Sequence, residues 1–146
     1  MIINHKLIEL NLTAQDKDSA ILELIAKARE DNRLKDEKQY LNDVLAREND
    51  VSTAIGYEIA IPHGKSDGVQ EPFVAFGRTM QSVKWEDQDV KMIFLIGVPK
   101  VNLDNLHLRL LAEISKKLIE ESYRENLLNA STKEEIESLL INPLNY

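Results

Sequence analysis

The chain has 146 residues, with 18 Lys and Arg against 25 Asp and Glu, a formal charge of −7, 43% hydrophobic residues and 29% charged ones. A chain of this length and balance can bury a core of its own, so it is expected to form a single domain over 1–146 rather than a disordered chain. Cysteine is absent, which excludes disulfide frameworks, thiol nucleophiles and Cys-ligated metals.

The longest apolar run, Met92 to Val98, is far shorter than the ~20 residues of a membrane helix. The opening Met1-Ile2-Ile3-Asn4-His5-Lys6 lacks the basic head and apolar stretch of a signal peptide. The expectation is a soluble cytoplasmic chain. Its acidity and few aromatics speak against nucleic acid and suit a partner carrying a basic patch.

Residues 6–12 alternate in and out and read as a half-buried strand. Asp16 and Asp18 can cap the next segment, in which Ile21, Leu24, Ile25 and Ala28 recur at helical spacing and predict a helix over about 17–30. A second helix is expected over about 36–48, with Leu41, Val44 and Leu45 on one face and Arg47-Glu48 at its end. Ser52 to Glu58 read as a polar turn. Ile59-Ala60-Ile61 is a short strand stopped by Pro62. Phe73 to Arg78 and Met92 to Val98 are strands, the second apolar throughout, as for a strand covered on both faces.

The last third is helical. Leu110, Leu111, Ile114 and Leu118 form a stripe, and capping boxes at Ser122-x-x-Glu125 and Ser131-x-x-Glu134 predict short helices over about 123–129 and 132–140. Interleaved strands and helices give an α/β class: a mixed β-sheet flanked by helices on both faces, three layers deep.

Turn-formers concentrate between 56 and 72, where three of the five glycines and two of the four prolines lie. That is where function is sought. His63 follows Pro62 and precedes Gly64, so an imidazole stands on a stiff mount with close backbone approach beside it. Near neutral pH most imidazole is uncharged. One ring nitrogen can donate to a carbonyl while the other keeps a lone pair for attack on phosphorus. The bland alternative is a loop histidine.

His107 opens the longest C-terminal helix on a face with Leu111, Ile114 and Leu118. It is either a boundary residue of the core or, at a helix start, a donor to an anion. Arg47 either complements the end of the second helix or offers a fork to phosphoryl oxygens. Glu48, Lys65 and Asp67 read as solvated, and His5 as an exposed terminal residue. HExxH, P-loop and Gly-x-Ser-x-Gly motifs are absent. Two histidines without a close-spaced pair are poor material for zinc, and no cofactor or metal is expected.

Arg47-Glu48, then Ser52-Thr53-Ala54-Ile55-Gly56-Tyr57-Glu58-Ile59-Ala60-Ile61-Pro62-His63-Gly64-Lys65, resemble the enzyme IIA domain of the bacterial sugar phosphotransferase system, mannitol/fructose type. Ala60-Ile61-Pro62-His63-Gly64 is similar to that family's phosphorylation motif. The Ile93–Pro99 stretch and His107-Leu108-x-Leu110-Leu111-Ala112-x-Ile114-Ser115 look most like the fructose branch.

The resemblance implies that His63 is the phospho-accepting histidine, His107 the second active-site histidine and Arg47 the arginine before the turn. It implies a phosphotransferase that takes phosphate on Nε2 of His63 from the phosphocarrier HPr. The phosphate then passes to an enzyme IIB, which hands it to a sugar crossing through the membrane enzyme IIC. A cysteine-using IIB and a membrane IIC are expected on other chains or subunits. The alternative is a regulatory, nitrogen-type enzyme IIA whose phosphorylation state governs its protein partners.

One position departs from the family pattern. Gly56-Tyr57-Glu58 stands where Gly-x-Gly is usual, so Glu58 is expected to bear a steric cost if its φ is positive and to bring negative charge toward the phosphate site.

Overall fold

The computed structural model describes residues 2–144. Strand β1 (Ile8–Leu12) follows a 3-10 turn over His5–Leu7. Helix α1 (Lys17–Glu30) begins where Asp16 accepts from the Ser19 amide, so Asp16 is the cap. Helix α2 (Glu37–Asp50) is capped the same way by Asp36 and runs two residues past Glu48. The segment read as a polar turn contains a strand, β2 (Ala54–Gly56), before β3 (Ile59–Ala60).

Pro62 interrupts pairing but does not end the strand. After it the chain resumes as β4 (His63–Ser66), on the same neighbour and in the same register: Ile59 pairs with Met92 and His63 with Ile96. His63 therefore begins a strand rather than ending one. The proline breaks the ladder only where it has no N–H to donate, and its own carbonyl still accepts from the Ile96 amide at 3.0 Å.

β5 (Phe73–Trp85) and β6 (Gln88–Pro99) form a hairpin much longer than the two apolar cores predicted. Its two-residue turn holds Glu86 at φ 59° in place of the usual Gly or Asn, so no turn signal marked it. The sheet order is β1-β5-β6-β3-β2, with β4 also on β6, and parallel and antiparallel pairs are mixed.

Three helices complete the chain: α3 (Leu106–Leu118), α4 (Glu121–Asn129) and α5 (Lys133–Ile141). Both predicted capping boxes are misplaced. Ser122 lies inside α4, whose cap position, Glu120, makes no side-chain bond. At α5 the cap is Thr132, which accepts from the Glu135 amide, one residue beyond the expected serine. Adjacent Ser131 and Thr132 offer the same chemistry, and backbone geometry chooses between them.

β6 is buried from Met92 to Val98, as its unbroken apolar run requires. Alternation assigns the faces. Gly64, Gly97 and Phe73 share one side, against which α2 packs; Tyr40 meets the Phe73 ring edge-on at 5.6 Å. His63, Ile96 and Val74 point to the other side, with α3 to α5. On that side Arg78 donates to the carbonyls of Leu127 and Ala130 and so ties the end of α4 to β5.

Candidate functional site

Among the described residues β4 pairs only with β6, so His63 stands on an edge. Its Nδ1 lies 2.9 Å from the Ile61 carbonyl. A carbonyl can only accept, so Nδ1 carries the proton and Nε2 holds the free lone pair. The Ile61 carbonyl is free for this contact because Ile61 faces away from β6: its amide donates to the Thr53 carbonyl, while the Thr53 amide, which would complete that pair, donates to Glu48 instead.

The imidazole is half-buried. Burial is the main cause that lowers its pKa below 6.5; the nearby Arg47 charge adds to this, while the Ile61 bond and Glu48 oppose it. At neutral pH the ring is therefore held uncharged.

Helix α2 delivers Arg47. Its position is fixed by Tyr40, fully buried about two helical turns earlier, whose hydroxyl donates to the Ile96 carbonyl at 2.7 Å. Burial pushes the Tyr40 hydroxyl well above its usual pKa, which keeps it a neutral donor. Gly64 allows this approach: a Cβ there would lie 2.9 Å from Val44 Cγ2 and 3.2 Å from Tyr40 Cε1. Arg47 itself donates one N–H to the Val51 carbonyl at 2.7 Å.

Glu48 is not solvated, contrary to the sequence reading. It is 2% exposed, and its carboxylate accepts from the Thr53 amide (2.7 Å), the Thr53 hydroxyl (2.5 Å) and Trp85 Nε1 (3.0 Å). A buried carboxylate is tolerated only with such partners. They pin the end of α2 to Thr53, just ahead of β2, and to β5. The signal was present in the sequence as a Glu four residues past Val44, on the buried side of the helix, but a carboxylate there reads as solvent-facing until its donors are known.

His107 comes from the other side, on the second residue of α3. The preceding loop bends through Asp104 and Asn105, both at positive φ (56° and 53°). Asn102 clamps it, accepting from the Leu106 amide at 2.8 Å and donating to the Pro99 carbonyl at 2.9 Å. His107 Nδ1 is buried with no hydrogen-bond partner among the described residues. Burial lowers the His107 pKa, and the charges of Lys65 and His63 lower it further.

The three predicted residues share one cleft of about 500 Å³, lined by Asp43, Arg47, His63, Lys65, His107 and Leu108 among others. Glu58 is elsewhere. Its φ is 62°, after Tyr57 at 58° and Gly56 at 90°, so the expected strain at a non-glycine residue is present. Its side chain instead borders a separate cleft with Tyr57, Lys91 and Arg124. Five residues of extended chain separate it from His63, about 16 Å at strand rise. The expectation that it charges the His63 site is corrected accordingly. His5 is exposed and faces Glu137 on α5 at 2.9 Å, remote from the cleft.

A neutral imidazole with an outward lone pair, a second imidazole with an unpartnered nitrogen and a guanidinium, all at the edge of an open α/β sheet, make a site fitted to an anionic group that comes and goes. Residues 1–142 match the family described as "Phosphoenolpyruvate-dependent sugar phosphotransferase system, EIIA 2", and the chain belongs to that family.

Its relatives include the "PTS system fructose-specific EIIA component" of Haloferax volcanii, 34% identical over 138 residues, covering 92% of this chain and 89% of that protein. The "PTS system fructose-specific EIIABC component" of Bacillus subtilis is 34% identical over 132 residues, covering 88% of this chain and 21% of that longer protein. Among solved structures, nitrogen regulatory protein IIA-Ntr from Neisseria meningitidis superposes with a TM-score of 0.86 at 30% identity, over 95% of this chain and 96% of that one. No helix among the described residues is long and apolar enough to cross a membrane.

Proposed function

We propose that this protein is a phosphoryl carrier that accepts a phosphoryl group on Nε2 of His63 from phospho-HPr and passes it to an enzyme IIB on another chain. It would thereby serve fructose-type sugar uptake through a membrane enzyme IIC, from the cytoplasm. The observation that carries the reading is the fixed tautomer of His63: Nδ1–H bound to the Ile61 carbonyl leaves Nε2 open into a cleft shared with His107 and Arg47. Membership of the EIIA 2 family and the names of the fructose relatives support it.

The step balances without a metal or a proton shuttle. The Nε2 lone pair of His63 forms an N–P bond as the donor's N–P bond breaks, and the departing imidazole keeps that electron pair. His63 becomes a phospho-imidazolium whose Nδ1–H still donates to Ile61, so the positive ring is stabilised where it forms. Arg47 and His107 donate to the phosphoryl oxygens. A transition state of this loose kind needs chiefly positioning and charge stabilisation.

Incubation with phosphoenolpyruvate, enzyme I and HPr tests the reading. Intact mass spectrometry should show one acid-labile phosphoryl adduct, absent from His63→Ala. No adduct, or one that survives the substitution, overturns it. The likeness to IIA-Ntr favours a second reading, in which the same phosphorylation selects protein partners. A wild-type protein that accepts phosphate but transfers it to no IIB would decide for that alternative.

A further inference from the structure

Lys65 reads in the sequence as a solvated lysine, yet its place is specific. Strand alternation sets it two residues past His63 on the same face of β4, and it lines the same cleft as His63, His107 and Arg47. It forms no hydrogen bond or ion pair among the described residues, although the chain carries seven more carboxylates than Lys and Arg side chains. The cleft's own carboxylate, Asp43, is engaged by the Gln39 amide at 3.1 Å to each oxygen. Arg47 already spends one N–H on the Val51 carbonyl. Lys65 therefore supplies a second cation with none of its N–H groups committed among the described residues, on the cleft that Arg47, His63 and His107 also line.

We propose that Lys65 is a phosphoryl-binding residue: its ammonium contacts the equatorial oxygens while the group passes to and from His63. The inference rests on the carrier reading above. An ammonium on a flexible stem suits this task better than a fixed fork, because the phosphorus moves along the line of transfer while the oxygens must stay neutralised. His63 Nε2 still forms the N–P bond and the donor imidazole still keeps its electron pair. Lys65 forms no covalent bond and gives up no proton.

The test is single-turnover transfer from phospho-HPr to the full chain, comparing wild type, Lys65→Met and Lys65→Arg over a range of HPr concentrations. Lys65→Met should lower the limiting rate by about 10- to 100-fold, less than a fully enclosed oxyanion donor gives because Lys65 is exposed. Lys65→Arg should restore most of that rate. The melting temperature should not move, since the side chain holds nothing else in place.

Lys65→Met transferring within twofold of wild type at saturating HPr overturns the assignment and leaves the carrier reading standing. So does a loss confined to the concentration dependence, which would make Lys65 a docking charge only. A wild-type chain that takes no phosphoryl group on His63 removes both together.

Discussion

Glu48→Ala probes the buried network that holds α2, and Arg47 with it, against the sheet. Removing the carboxylate takes the acceptor from three buried donors; the Thr53 hydroxyl can turn to another acceptor, but the Thr53 amide and Trp85 Nε1, which Glu48 accepts at 2.7 and 3.0 Å, are fixed and left orphaned. Trp85 is fully buried and Thr53 is 7% exposed, so water does not readily replace the lost acceptor. Each orphaned buried donor costs about 1–3 kcal/mol, so the two N–H groups together should destabilise by about 2–6 kcal/mol. Total stability is about 5–15 kcal/mol, so the loss is a large share of it. At about 2–4 °C per kcal/mol for a domain of this size, the melting temperature should fall by about 4–24 °C.

Glu48→Gln separates charge from shape. Its amide oxygen can accept from Thr53 N and Trp85 Nε1 while its amide nitrogen donates to the Thr53 hydroxyl, so melting should stay within about 1 kcal/mol of wild type. It removes a negative charge that supports the protonated form of His63, so the His63 titration should move to still lower pH. Thermal melting and NMR titration measure the two effects separately. A Glu48→Ala protein that melts with wild type, or a Gln variant as unstable as Ala, would refute the network as described.

The pH dependence has a definite sign. Burial lowers the pKa of both His63 and His107, so each stays neutral to a lower pH in the folded chain than in the unfolded one. Stability should therefore be full above 6.5 and fall as pH drops from there through the folded values. The rate of phosphoryl acceptance should fall over the same interval as Nε2 protonates; an NMR midpoint for His63 at or above 6.5 would contradict this. Gly64→Ala should cost about 1–3 kcal/mol through overpacking against Val44 and Tyr40 and slow transfer by shifting His63. Melting and rate should change together, and an unchanged melt would mean that α2 does not sit as close as described.

Local signals carried much of this molecule. The spacing of Ile21, Leu24, Ile25 and Ala28 and the cap at Asp16 placed α1 at its observed bounds, because helix periodicity and capping are short-range. The apolar run of β6 announced a strand buried on both faces. The β5–β6 hairpin was read short because its outer half is polar, and its turn uses Glu86 at positive φ where no glycine or asparagine advertises it. β2 was missed for a related reason: three residues paired to a two-residue strand have no periodicity to show.

Sequence by itself singled out the candidate side chains and determined how His63 is mounted, since a proline before it and a glycine after it restrict the backbone whatever the rest of the chain does. Tertiary structure alone decided their company. His63, Arg47 and His107 lie on three elements distant along the chain and meet only because β4 regains its register beyond Pro62 while α2 and α3 close on the sheet edge from its two faces. The same packing buried Glu48, left Lys65 without a partner among the described residues and carried Glu58 out of the cleft, for burial and pairing depend on what the fold sets alongside a residue.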